Sequence, residues 1–96
     1  MANSNSIDSD KPSWHLYILK CCDGSFYTGI TNNLDRRLNL HNSGVASKYT
    51  RARLPVSMVY VEPCENRSDA SKRELQVKKL DRKAKMKLIE HKRVLQ

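Results

Sequence analysis

The chain has 96 residues, 39% hydrophobic and 29% charged, which points to one small globular domain and excludes a disordered or membrane-embedded chain. No apolar run approaches the roughly 20 residues of a spanning helix, and the first residues lack the basic-then-apolar pattern of a secretory signal. The formal net charge is +8 and uneven: residues 67–96 carry 11 basic and 4 acidic residues (net +7), residues 1–66 carry 7 and 6 (net +1). Such a block suits a polyanionic partner, or else a solvated lysine-rich helical surface.

Cys21, Cys22 and Cys64 are odd in number and no pair has metal-ligand spacing, so they read as free thiols in a reducing compartment, the cytoplasm. Residues 1–13, polar and small, read as a disordered tail; 14–92 form the domain, and 93–96 a C-terminal tail.

The first strand is predicted from Trp14 to Cys21, almost wholly apolar or aromatic, as a central strand should be. Cys22-Asp23-Gly24 is the turn and Ser25 to Thr31 the second strand. With a two-residue loop, Tyr17 and Tyr27 would fall on opposite faces. A three-residue loop with Gly24 left-handed sets Tyr17 opposite Gly29 and Leu19 opposite Tyr27, so both tyrosines share a face; this is the favoured geometry. Gly29, without a side chain, leaves room beside Tyr17.

A helix follows, capped by Thr31, Asn32 or Asn33, with Asp35 in its first turn and Asn42-Ser43-Gly44 at its end. Leu34, Leu38 and His41 form its inward face, Arg37 lies on the edge of that face, and Arg36 points to solvent. Residues 44–55 read as a loop whose Lys48, Tyr49, Thr50, Arg51 and Arg53 suit a phosphate backbone and a base face. A third strand is expected from Val56 to Val61. A second helix, capped by Asn66 or Ser68, runs to about Leu80 with Ala70, Glu74 and Val77 on one face. Glu74 therefore needs a cation, from the protein or a metal. Asp81 starts a third helix, roughly Arg82 to His91, packing through Ala84, Leu88 and Ile89.

Tyr17, Tyr27, Arg37, His41 and Glu74, expected on one side under a positive field, suit phosphodiester hydrolysis. An arginine clamps the charge that builds on phosphoryl oxygens. A carboxylate holds one Mg²⁺ or Mn²⁺, which takes oxygen ligands and keeps several waters. A tyrosine near the metal and the arginine can have its pKa lowered enough to accept the proton of the attacking water. Two structural alternatives stand beside this: an Arg37–Glu74 ion pair between helices, and His41 as a helix C-terminal group meeting the dipole.

The same stretch resembles the GIY-YIG nuclease domain. The two triplets fall on His15-Leu16-Tyr17 and Tyr27-Thr28-Gly29, followed by Arg37-Leu38-Asn39-Leu40-His41 and the Glu74 helix. The likeness spans roughly Trp14 to Ile89 and is greatest to the small stand-alone bacterial members. His15 replaces the first glycine and Leu16 the isoleucine, while the tyrosine is kept. The resemblance implies an α+β fold, a small three-stranded antiparallel sheet flanked by helices in the order β-β-α-β-α-α. It implies a divalent-metal-dependent endonuclease cutting one strand of DNA per site, in repair or recombination, with Tyr17 as general base or water-positioning group. Tyr27 would support the phosphate or metal-bound water, Arg37 the transition state, His41 a proton or phosphate, and Glu74 the metal. The alternative is a catalytically weak DNA- or RNA-binding module.

Overall fold

Both faces of the first strand, β1 (Trp14–Lys20), are apolar, and Leu16, Tyr17, Ile18 and Leu19 are all wholly buried. That places β1 at the centre of the sheet, which has the order β2-β1-β3. The computed structural model describes residues 13–95. Of the expected N-terminal tail, only Ser13 lies within the described residues.

β2 (Phe26–Thr31) pairs antiparallel with β1, Tyr17 opposite Gly29 and Leu19 opposite Tyr27. The three-residue turn brings this about. The Cys21 N–H donates to the Ser25 carbonyl (2.8 Å), the Gly24 N–H donates to the Cys21 carbonyl (2.9 Å), and Gly24 sits at φ +85°. Only glycine adopts that left-handed conformation readily.

β3 (Ser57–Cys64) pairs antiparallel with the other side of β1 and is longer than the expected Val56–Val61. It continues through Pro63 because β3 is an edge strand, where a missing N–H breaks no ladder. A bulge shifts the register between Ile18 and Leu19, so that Tyr60 faces Ile18 and Met58 faces Leu19. Val59 and Tyr60 therefore serve the same layer.

Two helical layers cover the sheet. On one face α1 (Leu34–Asn42) closes over Tyr17, Leu19, Cys21 and Val56, with Leu34 and Leu38 packed against them. Asn33 caps α1 by accepting from the Arg36 N–H (3.1 Å). Its end is a Schellman motif: the Gly44 N–H donates to His41 O (3.0 Å) and the Val45 N–H to Leu40 O (3.2 Å), with Gly44 at φ +82°. Residues 48–51, expected within a loop, form a one-turn helix, α2 (Lys48–Arg51), because the Ser47 side chain accepts from the N–H groups of Tyr49 and Thr50. The Asn42 amide then clamps both the N–H (2.8 Å) and the carbonyl (3.1 Å) of Val56, tying the end of α1 to the start of β3.

On the other face α3 (Arg67–Lys78) and α4 (Arg82–Leu95) bury Leu16, Ile18, Tyr60, Ala70, Val77 and Ile89 together. Each large apolar side chain buried this way contributes about 1.5–3 kcal/mol. Asn66 caps α3, which ends two residues before the expected Leu80. Asp81 accepts from the Ala84 N–H at the start of α4 (2.8 Å). α4 continues to Leu95, so the expected tail of residues 93–96 is helical backbone as far as Leu95. A polar chain locks α3 to β3: Tyr60 donates to Glu62 (2.7 Å), and Arg73 Nε donates to the other carboxylate oxygen (2.8 Å). Burial and this bond to Glu62 push the Tyr60 phenol up to about 12, and Arg73 offsets them only in part. The element order is thus the expected β-β-α-β-α-α with the short α2 inserted before β3.

Candidate active site

The register puts Tyr17, Tyr27, Gly29 and Thr31 on the α1 face, and Tyr17 lies across Gly29. A Cβ at position 29 would stand 2.5 Å from Tyr17 Oη and 2.6 Å from Cζ. Above this ring, α1 presents His41 and Arg37, one turn apart. Tyr17 and His41 have no exposed surface at all.

Their polar atoms form one chain. Tyr17 Oη and His41 Nε2 are 2.9 Å apart, His41 Nδ1 and Thr50 Oγ1 2.9 Å, and Arg37 Nε donates to Tyr17 Oη over 3.4 Å. The protons can be placed by elimination. Arg37 can only donate, so the buried Tyr17 O–H has His41 Nε2 as its acceptor; His41 then carries its proton on Nδ1 and donates to Thr50, whose own hydroxyl is left to the Ser47 carbonyl (3.4 Å). Arg37 meets the remaining lone pair of Tyr17. The order is Arg37 to Tyr17 to His41 to Thr50 to Ser47, every link in the same direction.

Electrostatics make this a neutral relay at rest. Burial, and secondarily the charge of Arg37, hold His41 below its ordinary 6.5, so the imidazole is neutral at neutral pH. Burial pushes the Tyr17 phenol above 10.0, and the bond and charge of Arg37 only partly offset this. Arg37 alone does not lower the phenol: the site desolvates Tyr17 more than the arginine stabilises its anion, and the expected lowering would need the charge of the metal as well. The neutral His41 is in turn an acceptor for the phenol proton.

Tyr27 packs edge-on against His41 (centroids 5.1 Å) and stacks with Tyr49 (6.2 Å). Glu74 belongs to the other layer. Five residues were expected on one side; four are there, and Glu74 projects from α3, which packs on the opposite face against β1 and β2. Its charge is nevertheless felt at Tyr17, raising the phenol pKa. The expected alternative of an Arg37–Glu74 ion pair is absent among the described residues: Glu74 pairs with Lys78 (3.3 Å), an i,i+4 neighbour. His41 does lie in the last turn of α1, but its ring is committed to Tyr17 and Thr50.

Glu74, with a side chain 22% exposed and paired with Lys78, is the carboxylate that would hold a divalent cation. Among the described residues no three His, Cys, Asp or Glu side chains gather. A single carboxylate suits Mg²⁺ or Mn²⁺, which fill their sphere with waters and phosphate oxygens; a zinc site would need more protein ligands.

The expected nucleic-acid contacts divide. Lys48, Tyr49 and Arg51 are exposed. Thr50 is wholly buried, so it touches no phosphate backbone; its hydroxyl belongs to His41. Arg53 is also taken internally, by Asp23 (3.1 Å), the Tyr49 carbonyl (2.8 Å) and the Tyr49 ring (3.9 Å). It fastens the segment after α2 to the β1–β2 turn. The role of Thr50 escaped the sequence because it joins α1 through an irregular segment. The one available signal was Ser47, a capping residue three positions before it.

The fold and cluster define the class. The model of the GIY-YIG catalytic domain matches residues 13–88. UPF0213 protein CPE1444 of Clostridium perfringens is 51% identical over 80 residues, 83% of this chain and 86% of its own. UPF0213 protein DP2720 of Desulfotalea psychrophila is 51% identical over 74 residues, 76% of this chain and 67% of its own. The solution structure of EF2693 from E. faecalis superposes with a TM-score of 0.60 at 45% identity, over 88% of this chain and 90% of that one. That of UPF0213 protein BH0048 from Bacillus halodurans gives 0.55 at 42% identity, over 82% and 84%. The chain belongs to the GIY-YIG family and, within it, to the UPF0213 group. Among the described residues no helix is long and apolar enough to cross a membrane.

Proposed function

We propose that this protein is a divalent-metal-dependent endonuclease that hydrolyses a phosphodiester bond in one strand of DNA. The observation that carries this reading is the buried chain Arg37–Tyr17–His41–Thr50, whose neutral imidazole can receive a proton from the phenol. Tyr17 has no exposed surface, so the attacking water reaches its oxygen only when Arg37 turns from the phenol to the scissile phosphate. Arg37 then has two roles. It clamps the charge developing on the phosphoryl oxygens, and its departure uncovers the base.

As the water oxygen bonds to phosphorus, its proton passes to Tyr17 Oη while the Tyr17 proton passes to His41 Nε2. The phosphorus–oxygen bond to the leaving strand breaks, and the departing oxygen takes its proton from solvent. Thr50 accepts the Nδ1–H of that imidazole. Tyr27 supports the ring of His41 edge-on, and Lys48, Tyr49 and Arg51 offer the strand an exposed basic surface. Glu74 would hold a Mg²⁺ or Mn²⁺, which would supply charge to polarise the phosphate and stabilise the leaving oxygen.

The test is cleavage of nicked, branched and single-stranded DNA with Mg²⁺ or Mn²⁺, with a chelator as control. Cleavage that Glu74→Ala and Arg37→Ala each reduce at least about 10²-fold supports the proposal. No cleavage of any substrate, or variants that cut as fast as the parent, would overturn it; salt-sensitive binding indifferent to Glu74→Ala would then mark a binding module.

A further inference from the structure

Trp14 opens β1 and is the single tryptophan of the chain. With Ile30, Thr31, Asn32, Arg37 and Arg67 it lines an open cleft of about 320 Å³, within the range of small-ligand sites. The cleft lies where the end of β2, the approach to α1 and the start of α3 converge. It shares Arg37 with the catalytic cluster. The lining combines one large aromatic surface with two guanidinium groups, and it contains no carboxylate.

Arg67 is held differently from the other arginines that cover aromatic rings. Arg53 stands 3.9 Å from the Tyr49 centroid and is paired with Asp23; Arg82 stands 4.7 Å from that of Phe26 and donates to the Gly24 carbonyl. Arg67 stands 5.6 Å from the Trp14 centroid, near the outer limit of a cation–π contact, and among the described residues it has no ion-pair partner. Its side chain is exposed. It lies over the indole, and among the described residues no ion pair holds it there. Beyond Asn32 a smaller depression of about 140 Å³ again includes Arg37 and adds Arg36. Arg67, Arg37 and Arg36 therefore mark a line of positive charge past the site.

We infer that the Trp14 cleft is a subsite for an unpaired nucleotide of the DNA strand being cut, its base stacked on the indole and its phosphate held between Arg37 and Arg67. This rests on the nuclease reading for the placing of the scissile phosphate, and adds the substrate class: strands with an unpaired nucleotide beside the cleaved bond. The requirement for an unpaired base is geometric. Within a duplex both faces of a base are covered by its neighbours, whereas an unstacked base can lay one face on an aromatic side chain. Arg67 gives up the indole as the base arrives and takes the adjoining phosphate.

Because Trp14 is the only tryptophan, its emission reports occupancy directly. The full chain in chelator is titrated with a short single-stranded deoxyoligonucleotide and, separately, with a blunt duplex of the same sequence. The single strand should quench Trp14 and the duplex should not. Base stacking on an aromatic is worth a factor of about 5 to 150 in affinity, so Trp14→Leu should weaken single-strand binding about tenfold or more. Trp14 also packs on the core. Arg67→Ala, an exposed change at the head of α3, is therefore the second variant: it should weaken binding and lower the salt slope by about 1. A ribo-oligonucleotide that quenches equally supports a site reading base and phosphate and not the sugar. Single-strand binding that leaves the emission unchanged, or an Arg67→Ala protein that binds as the parent does, overturns the inference. Cleavage is measured separately on the same proteins. Quenching without cleavage leaves the subsite standing and removes the nuclease reading, and cleavage without quenching does the reverse.

Discussion

Thr50→Val isolates the part of the site that acts only through another residue. Valine keeps nearly the shape of threonine and removes the oxygen that lies 2.9 Å from His41 Nδ1 in a position with no exposed surface. The imidazole then faces a choice between a buried N–H with no acceptor and a buried lone pair with no donor. An orphaned buried donor costs about 1–3 kcal/mol. A move of the proton to Nε2 would orphan the buried Tyr17 O–H instead, because Arg37 can only donate to it, so the proton stays on Nδ1. Tyr17 keeps its place, but the imidazolium formed when His41 takes its proton loses the acceptor that its Nδ1–H needs. The expected result is a loss of about 1 kcal/mol in unfolding free energy and a fall of about 10²-fold in single-turnover cleavage, with DNA affinity unchanged. Imidazole ¹⁵N spectra should show His41 protonated on Nδ1 in the parent and in the variant alike. A variant that cuts at the parental rate, or a parent protonated on Nε2, refutes the reasoning.

Gly29→Ala drives a Cβ to within 2.5 Å of Tyr17 Oη, so the ring must leave its position against His41; denaturant unfolding should show a loss of about 1–3 kcal/mol and cleavage should fall with it. The pH dependence follows from His41, whose folded pKa lies below 6.5. The unfolded chain binds its proton first as pH falls, so this contribution to stability is full above about pH 6.5 and is lost as pH falls toward the depressed folded value. The acid limb of cleavage lies below 6.5 for the same reason, and because the Tyr17 phenol titrates above 10.0, neither group should bend the profile between about pH 7 and 9. An acid limb centred above 6.5 contradicts the assigned neutral relay.

The parts of this molecule that were readable in the sequence are those set by short periods. The strand alternation and one left-handed glycine fixed the hairpin register, and with it the shared face of Tyr17 and Tyr27. Helical spacing separated Arg37 from Arg36 and turned His41 inward. Other features depend on contacts that no period encodes. A helical pattern says that Glu74 faces inward but not which side of the sheet its helix covers, and α3 covers the side away from α1. Thr50 meets His41 only because Ser47 starts a helical turn and Asn42 pins the following strand. The arginine beside the phenol is visible in the sequence, whereas the complete burial that opposes it is a property of the packed layers.

Tyr17→Phe tests the central assignment most directly. Phenylalanine keeps the ring over Gly29 and removes only Oη, the atom between Arg37 and His41. With DNA saturating and Mg²⁺ present, the single-turnover cleavage rate should fall by about 10²–10⁴ while DNA affinity stays within a fewfold of the parent. A Tyr17→Phe protein that cleaves within about tenfold of the parental rate would place the proton-accepting group elsewhere and contradict the account.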